Sequence, residues 1–256
     1  ACADLEAAAK IYTEVLGLEI TNREEVKEQG VATVFIPNAK YNDALALYED
    51  GKYLEAYEAL AEIPNNPKAN TLAIAINTEV LTQFQNYLAE NDCKAAYKVL
   101  ADFGYTNSEY PMLEGYKAMG EGRYKDAIML GMPEILVQKG TKEVTAEQFA
   151  GITLKDGFMV TLPAGLTTIG EGAFSGASAK TVIIPSDSPL RQIRTGAFAG
   201  ASSVSELVIN VSKAENILPP QSFSGTAAGF KIIVPKGSSY KTDYYWSQVA
   251  VAIEEA

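Results

Sequence analysis

Apolar residues in the first half of the chain recur at helical spacing. Ala44, Leu47 and Tyr48 fall at i, i+3 and i+4, and after the polar break Asp50-Gly51-Lys52 the pattern resumes through Tyr53, Ala56, Tyr57, Leu60 and Ile63, with Pro64 closing it. The same unit recurs as Leu113 and Tyr116, a break at Glu121-Gly122-Arg123, then Tyr124, Ala127 and Ile128. A middle copy runs through Phe84 and Leu88, breaks at Asn91-Asp92, and continues through Ala96, Val99, Leu100 and Phe103. Gly51 and Gly122 are 71 residues apart, twice a period close to the roughly 34 residues of a helix-turn-helix repeat. Ala56, Ala96 and Ala127 are 40 and 31 apart, so the copies differ in helix or turn length. Ahead of them the pattern predicts a helix over Leu5 to Val15 and a short β-prone run over Val31 to Ile36.

Past residue 140 the period changes. The tripeptide Phe-(Ala or Ser)-Gly occurs at Phe149, Phe174, Phe198 and Phe223, at spacings of 25, 24 and 25, and each copy precedes a short run that reads as a strand. These runs are Val160-Thr161-Leu162-Pro163, Val182-Ile183-Ile184-Pro185, Leu207-Val208-Ile209-Asn210 and Ile232-Ile233-Val234-Pro235. Such units cannot bury an apolar face alone, so the turns stack and their strands form a narrow parallel sheet. Alternation along each strand sends Val160, Val182, Leu207 and Ile232, with Leu162, Ile184, Ile209 and Val234, into the core. It leaves Thr161, Ile183, Val208 and Ile233 as an outward row, a candidate binding stripe that a partner or the acidic helical half would cover. The next outward row, Met159, Thr181, Glu206 and Lys231, turns polar toward its C-terminal end.

The segment Leu166-Thr167-Thr168-Ile169-Gly170-Glu171-Gly172-Ala173-Phe174-Ser175-Gly176 resembles the repeat of the BspA-like leucine-rich repeat family, and the resemblance covers residues 144 to 256. It implies a leucine-rich solenoid, with Tyr240 and Trp246 closing the C-terminal end of its core, and display on a bacterial surface for attachment to other macromolecules. The stretch Leu47-Tyr48-Glu49-Asp50-Gly51-Lys52-Tyr53-Leu54-Glu55-Ala56 resembles the tetratricopeptide-like helical repeats of bacterial surface proteins, over residues 41 to 131. The fold class expected is a two-domain repeat protein: an acidic all-α array of helical hairpins over residues 1 to 140, then a leucine-rich solenoid over 141 to 256 with a cap over about 236 to 256.

Charge follows the same line. Of the net −11, residues 1 to 140 carry 22 acidic and 12 basic side chains, net −10, and the remainder 10 and 9, net −1. An acidic chain without a basic run lacks the electrostatic footprint of a nucleic-acid binder, and no apolar stretch approaches the ~18 residues of a membrane span. The chain begins at Ala1 rather than methionine, which suggests a longer gene product.

The composition bears most directly on chemistry through the absence of histidine. Without imidazole there is no Ser-His-Asp or Cys-His pair and no His-ligated metal, so catalysis would fall to carboxylates, lysine or tyrosine. The carboxylate groups Glu24-Glu25 with Glu28, Glu49-Asp50 and Glu254-Glu255 read as solvated surface rather than as a glycosidase pair. Cys2 and Cys93 have neither disulfide-framework nor metal-ligand spacing. No catalytic, cofactor-binding or metal-ligating residues are assigned, and the chain reads as not an enzyme. The expected function is a non-catalytic cell-surface interaction or adhesion protein with a protein or glycan partner, located outside the cell. The alternatives are an intracellular scaffold whose helical repeats hold a client peptide, and the non-catalytic part of a larger surface hydrolase.

Overall fold

The computed structural model describes residues 22–26, 31–35, 38–220, 223–249 and 251–256. The helix expected over Leu5 to Val15, and Cys2 and Glu28, lie outside them. The described chain groups into two compact units, one running to Thr82 and including Asp102–Gly104, the other comprising Gln83–Ala101 and Tyr105–Ala256. Residue 140, where the composition changes, lies within the second.

In the first unit, β1 (Asn22–Val26) and β2 (Val31–Phe35) pair antiparallel from Asn22↔Phe35 to Val26↔Val31. The helices α1 (Asn38–Glu49) and α2 (Tyr53–Ala61) then form a hairpin, followed by the first part of α3 (Pro67–Ala89). Gly51 makes the hairpin turn at φ +76°, a backbone that side chains resist, and Lys52 N–H closes it on the Leu47 carbonyl at 2.9 Å. Ala44 and Ala56 are fully buried, as expected of small residues between closely packed helices, in a core with Leu60, Ala69, Leu72 and Ile76. Tyr57 packs edge-on against Phe103, centroids 5.3 Å apart.

The second unit begins in α3 and continues through α4 (Cys93–Asp102, its last residue grouped with the first unit), α5 (Leu113–Gly120) and α6 (Tyr124–Met129). Each break read from the sequence lies between helices, so the second half of the middle pair is α4 and the third pair is α5 and α6. These helices lead into a β-solenoid. Its main sheet has six parallel strands in the order β11-β10-β9-β7-β5-β3: β3 (Glu134–Leu136), β5 (Phe158–Thr161), β7 (Ala179–Ile184), β9 (Glu206–Ile209), β10 (Lys231–Val234) and β11 (Ala252–Glu255). A smaller parallel sheet joins β4 (Glu143–Val144), β6 (Thr168–Ile169) and β8 (Gln192–Ile193). The short helix α7 (Ala146–Phe149) opens with a capping box in which Thr145 N–H donates to Gln148 Oε1 at 2.8 Å. Helices followed by a leucine-rich solenoid are observed as expected, but the N-terminal part is not all-α, because β1 and β2 pair ahead of the helices.

An aromatic ladder runs through the solenoid core. Phe149, Phe174, Phe198 and Phe223 stack with successive centroids 5.2, 5.2 and 5.4 Å apart. The ladder extends past the repeats at both ends. Tyr124 of α6 lies on Phe149 at 5.5 Å with planes 11° apart, and Phe230 lies on Phe223 at 5.2 Å. Tyr240 and Trp246 are fully buried, and the Trp246 indole donates to the Ile217 carbonyl at 2.7 Å, giving the buried N–H a partner.

The helical end of the solenoid is closed by side chains that reach its first strands. Asn91, in the turn between α3 and α4, is 6% exposed, and its amide donates to the carbonyls of Thr161 (2.9 Å) and Val137 (3.3 Å). Its own carbonyl accepts Lys139 N–H at 2.8 Å. Gln138 N–H donates to the Tyr124 hydroxyl at 3.1 Å, and Leu136 N–H points to Met119 Sδ at 3.3 Å. One continuous core therefore runs from Cys93 to Trp246.

Candidate interaction surface

The strand register brings Thr161, Ile183, Val208 and Ile233 into one row across β5, β7, β9 and β10. All four are half-buried, while Val160, Val182, Leu207 and Ile232 beside them are fully buried, so alternation sets the two faces apart. At one end the row continues to Leu136 on β3, which belongs to the core with Cys93 and Met119. At the other it reaches Glu254 on β11.

The parallel outward row reads Glu134, Met159, Thr181, Glu206, Lys231 and Ala252. Lys231 Nζ stands 3.2 Å from Glu254 Oε2 and 3.7 Å from Glu206 Oε1, and Thr181 Oγ1 donates to Glu206 Oε2 at 3.4 Å. The hydrogen bond it donates to Glu254, and that carboxylate's charge, hold the Lys231 ammonium above its ordinary pKa. These charged groups already have partners within the chain, whereas the half-buried faces of Ile183, Val208 and Ile233 are not matched to any polar group. The small sheet contrasts with this: Val144, Ile169 and Ile193 point inward, and Glu143, Thr168 and Gln192 outward.

A cleft of about 590 Å³ opens where the Asn91 turn meets the C-terminal ends of β5 and β7. Its walls include Asn91, Lys139, Lys142, Thr161, Leu162 and Asp187. Lys139 is ion-paired with Glu90, and Lys142 Nζ donates to the Gly165 carbonyl at 3.3 Å. Thr161 belongs both to the cleft and to the row, so the apolar row runs into it. The cleft is absent from the sequence pattern because it joins residues up to 98 positions apart, from Ala89 to Asp187, that share no period.

Glu49, Asp50, Glu254 and Glu255 are exposed, and Glu24 and Glu25 lie on β1. Burial pushes the Cys93 thiol up to about 12, leaving it protonated and unreactive at neutral pH. Among the described residues, no group of three or more Cys, Asp or Glu could hold a metal, and no helix is long and apolar enough to cross a membrane.

The phenylalanine ladder, the glycine corners and the parallel sheet meet their counterpart in the family comparison, where the BspA type leucine rich repeat region matches residues 130–248 in six copies. This segment is a BspA-type leucine-rich repeat region. The BspA-type match starts ahead of residue 144 because β3 is already a strand of the main sheet. The first strand lacks a preceding Phe-x-Gly, and Tyr124 occupies the place of that phenylalanine. Leucine-rich repeats of this kind have a protein-interaction role.

A second match alters the view of the N-terminal part. Residues 1–112 match the Glyoxalase/Bleomycin resistance protein/Dioxygenase superfamily, which points to a possible enzymatic fold. The expectation that the chain is not an enzyme is overturned by this match. That expectation rested on the missing histidine, which excludes imidazole chemistry but leaves carboxylate and tyrosine chemistry open. Within 1–112 the described elements are the β1–β2 hairpin and α1 to α4. No curated protein and no solved structure matches the chain.

Proposed function

We propose that the BspA-type region binds a protein or glycan partner on the outward face of its six-stranded sheet, at a bacterial cell surface. The observation that carries this reading is the run of Ile183, Val208 and Ile233, adjacent and in register, beside charges already paired with one another. Apolar side chains held on a rigid sheet lose little conformational freedom on binding, and a partner laid along them removes their remaining surface from water. The cleft beside Thr161 extends the contact at one end. The test is a glycan array and a protein pull-down with the full chain, repeated with the double variant Ile183→Lys/Val208→Lys. Loss of the captured partner, with the circular dichroism spectrum unchanged, supports the reading; undiminished capture overturns it.

A second reading attaches to residues 1–112, because of the superfamily they match. On it, the N-terminal part carries glyoxalase or dioxygenase activity or binds bleomycin, with carboxylate or tyrosine groups in the roles that imidazole cannot fill here. Assays of the purified chain for both turnovers and for bleomycin binding test it, and inactivity in all three overturns it.

A further inference from the structure

Tyr244 and Tyr245 share one tight turn near the C-terminus and are 73% and 58% exposed. Their ring planes stand 81° apart with centroids 5.2 Å from one another, so the rings meet as two walls of a corner that solvent reaches. The turn beneath them is firmly held. Asp243 Oδ1 accepts the backbone N–H of Tyr245 (2.9 Å) and of Trp246 (3.0 Å), while the side chains of Gln248 and Ser247 donate to the Tyr244 carbonyl at 2.8 and 3.1 Å. Trp246, the next residue, is fully buried. None of these contacts uses a tyrosine ring, so small polar residues would serve the turn equally well without leaving aromatic surface in water.

Charge near the corner favours a cation. Asp243, adjacent to Tyr244 in the chain, brings a carboxylate into the turn itself, and Glu215 accepts from the Ser239 hydroxyl at 3.0 Å. Both carboxylates act on the hydroxyl of buried Tyr240, whose pKa is raised mainly by burial and further by these two charges. Lys241, the nearest lysine in sequence, extends toward Glu255 at 3.9 Å.

We propose that the Tyr244–Tyr245 corner binds a quaternary ammonium group of the choline type, held by the negative faces of two aromatic rings beside a carboxylate. Such a cation suits an open corner because its charge is spread over methyl groups and gives up water readily, whereas a primary ammonium is strongly hydrated. This site is independent of the outward sheet row.

The experiment is an NMR titration of the full chain with choline chloride, with 3,3-dimethylbutan-1-ol as the uncharged isostere. Saturable shifts centred on residues 243–248 with choline, and none with the isostere, are expected. Tyr244→Ala and Tyr245→Ala should each weaken binding about 2–5-fold, as loss of one exposed cation–π contact implies. Tyr244→Phe and Tyr245→Phe should retain binding, because the ring face and not the hydroxyl makes the contact; this also separates a binding role from a folding one. Equal response to the isostere, no saturation with choline, or undiminished binding in the double alanine variant overturns the proposal. The Ile183→Lys/Val208→Lys variant should bind choline normally, so failure of the sheet-face reading is distinguishable from failure here.

Discussion

The left-handed backbone of Asn91, φ +57°, is the one such conformation held by a non-glycine residue among those described, and it is retained together with two side-chain hydrogen bonds to strand-end carbonyls. A glycine would satisfy the backbone there, as Gly51 and Gly122 do in the corresponding turns, so the amide is what distinguishes this position. Asn91→Gly should cost about 1–3 kcal/mol, chiefly by removing the donor to the buried Val137 carbonyl, since the Thr161 carbonyl still accepts Val137 N–H at 2.9 Å. Asn91→Ala should cost about 1–2 kcal/mol more, because it adds the left-handed penalty. Denaturant unfolding of the two variants beside the parent checks both values. A second residue-scale expectation concerns pH. The Cys93 thiol is raised from 9.0 to about 12, chiefly by burial and then by the charges of Asp92 and Glu134. The unfolded chain thus loses this proton near pH 9 while the folded chain keeps it until about 12. Its contribution to stability is complete below pH 9 and is lost as pH rises to 12. Cys93→Ala should flatten the fall in unfolding midpoint between pH 9 and 10, before the tyrosines, whose ordinary value is 10.0, take over.

Among the elements, the solenoid corners show why a period could be read directly from the sequence. Each corner needs a residue free of Cβ and each rung a flat ring, so the same residue types return every 24 or 25 positions. At Gly225 two reasons for lacking a Cβ coincide: φ is +92°, and an added Cβ would lie 2.5 Å from the backbone nitrogen of Gly200 in the preceding turn. Gly51 shares the positive φ but faces open space. Gly225→Ala should therefore lower the unfolding midpoint clearly more than Gly51→Ala, since only the former forces two turns apart. Within the ladder, Phe174→Ala and Phe198→Ala should each cost about 3–5 kcal/mol, as removal of a large ring from a packed core does. The core rows and the outward row were legible because a strand alternates strictly. The 23-residue length of α3 was not, because Asn70, Thr71, Asn77 and Thr78 interrupt its apolar pattern while still lying within the helix. The places of Asn91 and Tyr124 in the solenoid were also hidden: Asn91 reads in sequence as a helix break and Tyr124 as a helix-face residue, and their partners are 46 to 70 and 25 positions away.

At the scale of the whole molecule, the solenoid's first rung and first strand-end donors are supplied by residues before 140. A fragment of residues 141–256 would leave Phe149 without Tyr124 and the first strands without Asn91. It should unfold at lower denaturant, or aggregate, compared with a fragment that begins at residue 83, and size-exclusion chromatography with denaturant melts distinguishes the two. The charge asymmetry is set by composition, residues 1 to 140 carrying net −10 and the remainder net −1, and on the main sheet Lys231 is shared between Glu206 and Glu254. The even spacing of the aromatic rungs also carries a consequence for length. Because every inner turn presents the same upper and lower surface, the array is indifferent to how many turns lie between its two ends. Its reach can therefore change only in whole steps, each adding one strand and ~4.8 Å to the sheet face. Duplicating residues 175–198 should yield a seven-stranded sheet with both ends intact, a ruler lengthened by one division.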